Sequence, residues 1–288
     1  MQRTAGTEVT AMLKQGIDIS AWQGNIDWDQ VKNCIEAIII RAGYGKNNID
    51  QKWAPNAEAV RDSSLDVGAY WFSYAYTADM AYMEGCYAAN AVKNKFGDRQ
   101  IPIAFDLEYD SVAYAAKKGV KIGRAEATLF AIRFLTAVKE FGYRPMLYTN
   151  IDYILNYFDL GVIRAAIPDL LLWVACWGSE PKDYNMAVWQ YSSKGSVAGI
   201  IGNVDMDEVY VDMEIRDGVA VPAPAPVQEN GRKQMRVTAK TWLNIREKPD
   251  VNSEDLGDLP AGTVITVDKI ENGWAHFEGY CSAQWLKQ

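Results

Sequence analysis

Short apolar runs and amphipathic stretches alternate along the first two thirds of the chain. Eight runs read as strands, being short, apolar and rich in β-branched and aromatic residues. They are GIDIS (Gly16–Ser20), AIIIRAGYG (Ala37–Gly45), VGAYWFSYA (Val67–Ala75), IPIAFDLEY (Ile101–Tyr109), RPMLYTN (Arg144–Asn150), LLLWVACW (Leu170–Trp177), MAVWQYSS (Met186–Ser193) and VDMDEVY (Val204–Tyr210). Most are apolar throughout rather than alternating, the pattern of strands covered on both faces of a parallel sheet.

Helical spacing appears between the early runs. From Lys121 to Tyr143, apolar Ile122, Leu129, Ile132, Phe134, Val138 and Phe141 recur every three or four residues, and Gly142 stands where a C-terminal cap belongs. Thr77 to Phe96 carries Met80, Met83, Tyr87 and Val92 in the same manner. Both stripes read as core packing. Eight strands alternating with helices predict an α/β fold, a (β/α) barrel. After Trp177 the intervals are too short for full helices, so the barrel is expected to be irregular, its strand ring complete and its outer helices too few.

The pattern changes at VAVPAPAPVQENG, Val219–Gly231, where alternating Pro and Ala favour an extended spacer. The expected division is an N-terminal extension at 1–15, a barrel at 16–214, a linker at 215–231 and a small domain at 232–288. Beyond the linker come short strands with turns at Lys248-Pro249, Pro260-Ala261-Gly262 and Glu271-Asn272-Gly273, which read as a small all-β barrel.

Charge and rare residues narrow the chemistry. The formal net charge is −8, all of it before Arg232, since the remainder holds eight basic and eight acidic residues. A chain so acidic is a poor partner for nucleic acid. No run reaches the ~18 apolar residues of a membrane span, so no membrane insertion is expected. The first fifteen residues lack the apolar centre of a secretory signal. Synthesis in a cytoplasm, with action elsewhere after release, is therefore expected. The four cysteines form no C-x-x-C pair and read as small buried thiols. The one histidine, His276, lies near the C-terminus and reads as structural. Imidazole-based nucleophilic catalysis and a catalytic zinc site are thus disfavoured in the larger domain. No metal or other cofactor is expected, and the chemistry falls to carboxylates.

Asp106 and Glu108 supply a pair, two residues apart at the end of the fourth run, where barrels gather their chemistry. Positions i and i+2 face the same way on a strand. Burial and a neighbouring anion both raise a carboxyl pKa, so one acid can stay protonated beside an ionised partner. Helix capping or pairing with Lys or Arg is the structural alternative. Asp18 lies inside the first run, and Asp205 opens the last; Asp207 shares its face and is the alternative to it. In a closed barrel the first and last strands are neighbours, so four acids can converge on one mouth.

GIDISAWQGNIDW, RAGYG, YWFSYA, IAFDLEY, LYTN, LWVACW and AVWQYSSKGSVAGIIGNVDMDEVY together resemble glycoside hydrolase family 25, the lysozymes of bacteria and phages, over about residues 16–213. The resemblance implies cleavage of peptidoglycan after N-acetylmuramic acid by an irregular (β/α) barrel. It implies Glu108 as general acid/base, and Asp106 as nucleophile or as the group that polarises the substrate acetamido. Asp18 and Asp205 would hold the charges and hydrogen bonds around that pair. Spacing leaves the mechanism open, because strand positions two apart are about 6.6 Å apart and rotamers move the oxygens either way.

Tyr44, Tyr74, Tyr148 and Trp189, near strand ends, are candidate sugar-stacking rings, with barrel packing as the alternative. Gln190 is a candidate partner for a sugar hydroxyl. LNIREKPD, LPAGTVITV and NGWAHF resemble a bacterial SH3-like domain, which implies wall binding, with Trp242, Trp274, Tyr280 and Trp285 as candidate groove residues. An anchored small domain raises the local concentration of the barrel on its polymer, a use for the spacer. The expected partner is peptidoglycan, and the expected protein is a phage endolysin or a bacterial autolysin. A chitinase-like glycosidase and a non-catalytic wall-binding protein are the rival readings.

Overall fold

The computed structural model describes residues 13–214, 233–239, 242–260, 263–277, 280–282 and 286–287. The N-terminal extension up to residue 12 and the Pro/Ala linker lie outside the described residues.

Nine strands form one sheet: β1 (Lys14–Ile19), β2 (Ala37–Tyr44), β3 (Asn48–Ile49), β4 (Asp66–Phe72), β5 (Pro102–Asp106), β6 (Arg144–Asn150), β7 (Leu171–Ala175), β8 (Val188–Gly195) and β9 (Val204–Val209). β1 pairs with both β2 and β9, which closes the sheet into a ring, and β3 is a short edge appended to β2. The first strand begins two residues before the expected Gly16.

Around the ring β1, β2, β4, β5, β6, β7 and β8 run parallel, each to the next, as the continuous apolar runs predict, while the appended β3 is antiparallel to β2. β9 is antiparallel to both β8 and β1, a departure from a regular parallel barrel. The reason is length: a parallel crossover takes a dozen or more residues, and only a short loop separates β8 from β9. The reversal carries functional weight, because it brings the beginning of β9 to the end of the barrel where the other strands finish.

The outer helices are α1 (Trp28–Val31), α2 (Trp53–Arg61), α3 (Ala78–Phe96), α4 (Tyr109–Lys117), α5 (Arg124–Glu140), α6 (Ile151–Asn156) and α7 (Leu160–Ala166). Among the described residues no helix follows α7, so the thinning of the outer layer agrees with the sequence. None is long and apolar enough to cross a membrane.

α3 and α5 cross closely. A Cβ on Gly85 would come within 2.6 Å of the Phe134 carbonyl, so glycine is what permits the approach. That crossing also corrects the α5 stripe. Its buried face is Ala127, Thr128, Phe130, Ala131, Phe134, Leu135, Ala137 and Val138, whereas Leu129 is 46% exposed. Small residues turn inward because the neighbouring helix is so near. Gly142, at φ 84°, ends the helix in the left-handed conformation, as expected.

The cysteines are free, but only Cys86 and Cys281 are buried; Cys34 is exposed and Cys176 half-buried, contrary to the expectation of four buried thiols.

The C-terminal part is all antiparallel β-structure: β10 (Lys233–Val237), β11 (Trp242–Arg246), β12 (Asp255–Pro260), β13 (Val264–Val267), β14 (Lys269–Glu271), β15 (Trp274–His276), β16 (Tyr280–Ser282) and β17 (Leu286–Lys287). They make a three-stranded and a five-stranded sheet around Val237, Leu243, Ile245, Leu259, Ile265, Val267 and Ala275. Asn272 and Gly273, both at positive φ, form the two-residue turn between β14 and β15. β12 lies against α3, where the Asp258 N–H donates to the Tyr87 hydroxyl at 2.8 Å. Lys46 and Asp255 form an ion pair at 3.4 Å.

Candidate active site

Asp106 is the last residue of β5, and the chain stays extended through Glu108, which caps α4 at φ −126°. The two acids therefore share one side, with Leu107 buried between them on the other. Asp18 lies near the end of β1, directly across from Asp205 in the β1–β9 register. All four expected acids thus meet at one mouth. Asp207 faces the same way as Asp205 but sits opposite Gly16, one step deeper, where it is fully buried.

Hydrogen bonds link the acids. The Gln190 side-chain amide donates to Asp18 Oδ2 at 2.7 Å. The Tyr148 hydroxyl donates to Gln190 Oε1 at 3.2 Å and also hydrogen-bonds the Glu108 carboxyl. Glu108 and Asp18 are thereby joined across the mouth through Tyr148 and Gln190. Trp173 Nε1 donates to Asp207 Oδ1 at 2.9 Å, while the second Asp207 oxygen has no partner. Asp106 Oδ1 is also buried without a partner.

Burial and crowding push every one of these carboxyls upward. Asp106 is raised well above the ordinary aspartate range by burial and then by Glu108, with Arg41 opposing. Glu108 is raised by burial, held back by the Tyr148 hydroxyl, and raised further by Asp110 and Asp205. Asp18 is raised well above its ordinary value by burial, Asp207 and Asp205, with the Gln190 amide opposing and Asp106 adding to the rise. Burial raises Asp205 as well, and it raises Asp207 strongly. Arg41 is itself committed to Asp50 at 2.7 Å. A cluster with so little compensating cation keeps protons at pH values where isolated carboxyls lose them, which equips it for acid catalysis.

The aromatic candidates divide. Tyr44 and Tyr74 meet edge to face with ring centres 6.5 Å apart, and Tyr74 packs on Tyr114 of α4 at 5.1 Å, forming a wall beside the acids. Gly43 makes room for this corner, because a Cβ there would meet Trp71 at 2.5 Å. Tyr148 and Gln190 point inward, but their polar groups are engaged with the acids. Trp189 is a correction. Neighbouring strand residues face opposite sides, so with Gln190 inside, Trp189 stands on the outer face of β8. There it packs on Tyr191 and donates to the Cys176 carbonyl at 2.8 Å.

The sequence reading passed over two exposed indoles at strand ends. Trp22, 86% exposed, lies in the turn after β1. Trp177, 65% exposed, follows β7 and points its Nε1 at Gln190 Oε1, 3.4 Å away. Tyr109, next to Glu108, is exposed too and donates to Asp152 at 2.8 Å. Strand-end position was the available signal for all three.

In the small domain, Trp274 is half-buried and lines a pocket with Pro249, Lys269, Glu271, Asn272 and His276. His276 Nδ1 lies 2.6 Å from Asp268 Oδ1. Trp242 and Tyr280 fall on β11 and β16, but their side chains, and all of Trp285, lie outside the described residues.

Comparison with known proteins agrees with this geometry. Residues 17–200 match the model of glycosyl hydrolases family 25. The chain belongs to that family. It is therefore a glycoside hydrolase, and its acids occupy the strand ends of a family 25 barrel. Residues 242–287 match the bacterial SH3 domain. Lysozyme M1 of Streptomyces globisporus is 26% identical over 219 residues, covering 72% of this chain and 71% of that protein. A protein of Streptococcus phage B30 named D-alanyl-L-alanine endopeptidase is 23% identical over 202 residues, 63% of this chain and 44% of that one. The structure of a bacterial lysozyme from Streptomyces coelicolor superposes with a TM-score of 0.53 at 23% identity, covering 69% of this chain and 92% of the other, a likeness of fold.

Proposed function

We propose that this chain is a peptidoglycan muramidase, which hydrolyses the β-1,4 bond between N-acetylmuramic acid and N-acetylglucosamine. The family and the lysozyme relative support the substrate class. The observation that carries the reading is the convergence of Asp18, Asp106, Glu108 and Asp205 at one barrel mouth, linked through Tyr148 and Gln190.

Glu108 is the general acid. Burial keeps its proton available, and the Tyr148 hydroxyl holds the carboxyl in place. It protonates the glycosidic oxygen, then takes a proton from the attacking water. Asp106 polarises the substrate acetamido rather than attacking the sugar. The substrate carries its own nucleophile in the acetamido oxygen, which a carboxyl beside the general acid need only polarise. Asp18 and Asp205 add negative charge that favours an oxocarbenium-like transition state once they are ionised. Tyr44 and Tyr74 form one side of the sugar groove, with Trp177 across the mouth. The SH3-like domain holds the enzyme on the wall, and Trp274 is its described aromatic contact.

The test is digestion of purified cell walls with analysis of the new chain ends. Fragments ending in reducing muramic acid are expected. Reducing glucosamine ends would change the bond, and free amino termini alone would make the chain a peptidase like the name of its phage relative.

A further inference from the structure

α3 contains an acid that the mechanism does not use. Glu84 is 1% exposed, with Met83, Gly85 and Cys86 buried beside it. Burying a carboxyl is costly unless its oxygens are engaged. One is: Glu84 Oε1 accepts the Tyr74 N–H at 2.9 Å, and the Ser73 hydroxyl hydrogen-bonds the same carboxyl. Oε2 has no partner.

These contacts fall where β4 leaves the sheet. The Ser73 N–H still reaches across to the Asp106 carbonyl at 2.7 Å, and the Ser73 hydroxyl accepts the Ala75 N–H at 3.2 Å. Beyond that point Tyr74 has no strand partner for its N–H. A buried amide must find an acceptor, and Glu84 is the one it finds. The Tyr74 ring then bridges Tyr44 of β2 and Tyr114 of α4, the helix that Glu108 caps.

We propose that Glu84 is a positioning residue for sugar binding: by holding the Ser73–Tyr74 backbone from within α3, it sets the Tyr74 ring as the wall of the substrate groove beside Asp106 and Glu108. Burial pushes the Glu84 carboxyl up to about 8. The groups acting on it are the Ser73 hydroxyl and the Tyr74 amide, with no charged side chain among them. Near neutral pH it is thus held mainly as the neutral acid, and glutamine is its close mimic.

The inference rests on the muramidase reading, and one experiment separates the two. Initial rates on purified walls are measured for wild type, Glu84→Ala, Glu84→Gln, Tyr74→Ala and the Glu84→Ala/Tyr74→Ala double variant. Glu84→Ala is expected to raise KM roughly three- to tenfold with kcat within about twofold, a coupling ordinary for residues in contact. Glu84→Gln is expected to restore the wild-type KM. The double variant is expected to match Tyr74→Ala alone, because Glu84 acts through that ring. Additive effects on KM, or a Glu84→Ala variant altered only in melting temperature, would overturn the role. If Glu84→Ala does not fold, Ser73→Ala, which removes the hydroxyl from the same carboxyl, takes its place with the same expected outcomes. A wild type that leaves walls intact overturns the muramidase reading instead.

Discussion

Replacing Gln190 by Met probes the link across the mouth. Methionine is close to glutamine in length but carries neither the donor to Asp18 nor the acceptor for Tyr148 and Trp177. The bond to Asp18 is the short one, and both groups are buried. A hydrogen bond to a neutral group contributes about 1 kcal/mol and one to a charged group about 1.5–3 kcal/mol. The size of the loss should therefore follow the charge on Asp18. Burial and the neighbouring acids raise the folded pKa of Asp18 above its unfolded value, so the folded state keeps a proton that the unfolded chain has released. That difference costs stability progressively as pH rises from the unfolded pKa through the folded one, and the Gln190 amide offsets part of the cost. The variant is expected to lose about 1 kcal/mol where Asp18 is protonated in the fold and about 2–3 kcal/mol where it is ionised, so the loss grows as pH rises. For a barrel of this size those losses lower the melting temperature by about 2–4 °C and about 4–12 °C. Calorimetry of the barrel transition across a pH series reads the difference. A loss that stays constant across the series, or that shrinks as pH rises, would refute the assignment of this bond to an ionising Asp18.

Three further outcomes are expected. Asp207→Asn keeps an acceptor for Trp173 Nε1 but removes a raised carboxyl and the largest charge acting on Asp18, so thermal unfolding should show a gain in barrel stability that is smallest near the unfolded aspartate pKa of about 3.9 and grows by up to about 1.4 kcal/mol per pH unit above it. Asp110→Asn removes one of the charges that raise Glu108; the alkaline limb of kcat/KM against pH should move to lower pH, and a move upward would contradict Glu108 as the acid. Trp177→Ala should raise KM about two- to tenfold, as loss of one aromatic contact does, while the melting temperature of so exposed a residue stays unchanged in a thermal shift assay.

Much of the site was legible because strand geometry is simple. Asp106 and Glu108 stand two apart at a strand end, and the structure keeps them on one side. Asp205 was placed at the mouth from the closure of the ring, but the physical reason is the antiparallel β9, which the short loop before it already required. Trp189 shows period-two alternation passed over: it cannot share a face with Gln190. Tyr148 reads as a stacking ring and Gln190 as a partner for a sugar hydroxyl, and no local pattern discloses that distant acids occupy their polar tips. Glu84 was legible only as an acid in the buried phase of α3; its partner lies in a loop whose path depends on tertiary packing. Leu129 misled because the close α3–α5 crossing turns small residues inward, which an apolar stripe alone does not reveal.

The chemistry of the mouth stands or falls with Glu108. Glu108→Gln keeps the size of the side chain and removes its proton. Wall-hydrolysis rates should be compared for wild type and variant at equal wall-bound enzyme, with melting temperatures taken on both. A fall of about 100- to 10,000-fold is expected, the contribution of a general acid, with folding and wall binding retained. A folded, wall-bound variant that hydrolyses walls within about tenfold of wild type would contradict the assignment and move the acid to another carboxyl of the cluster.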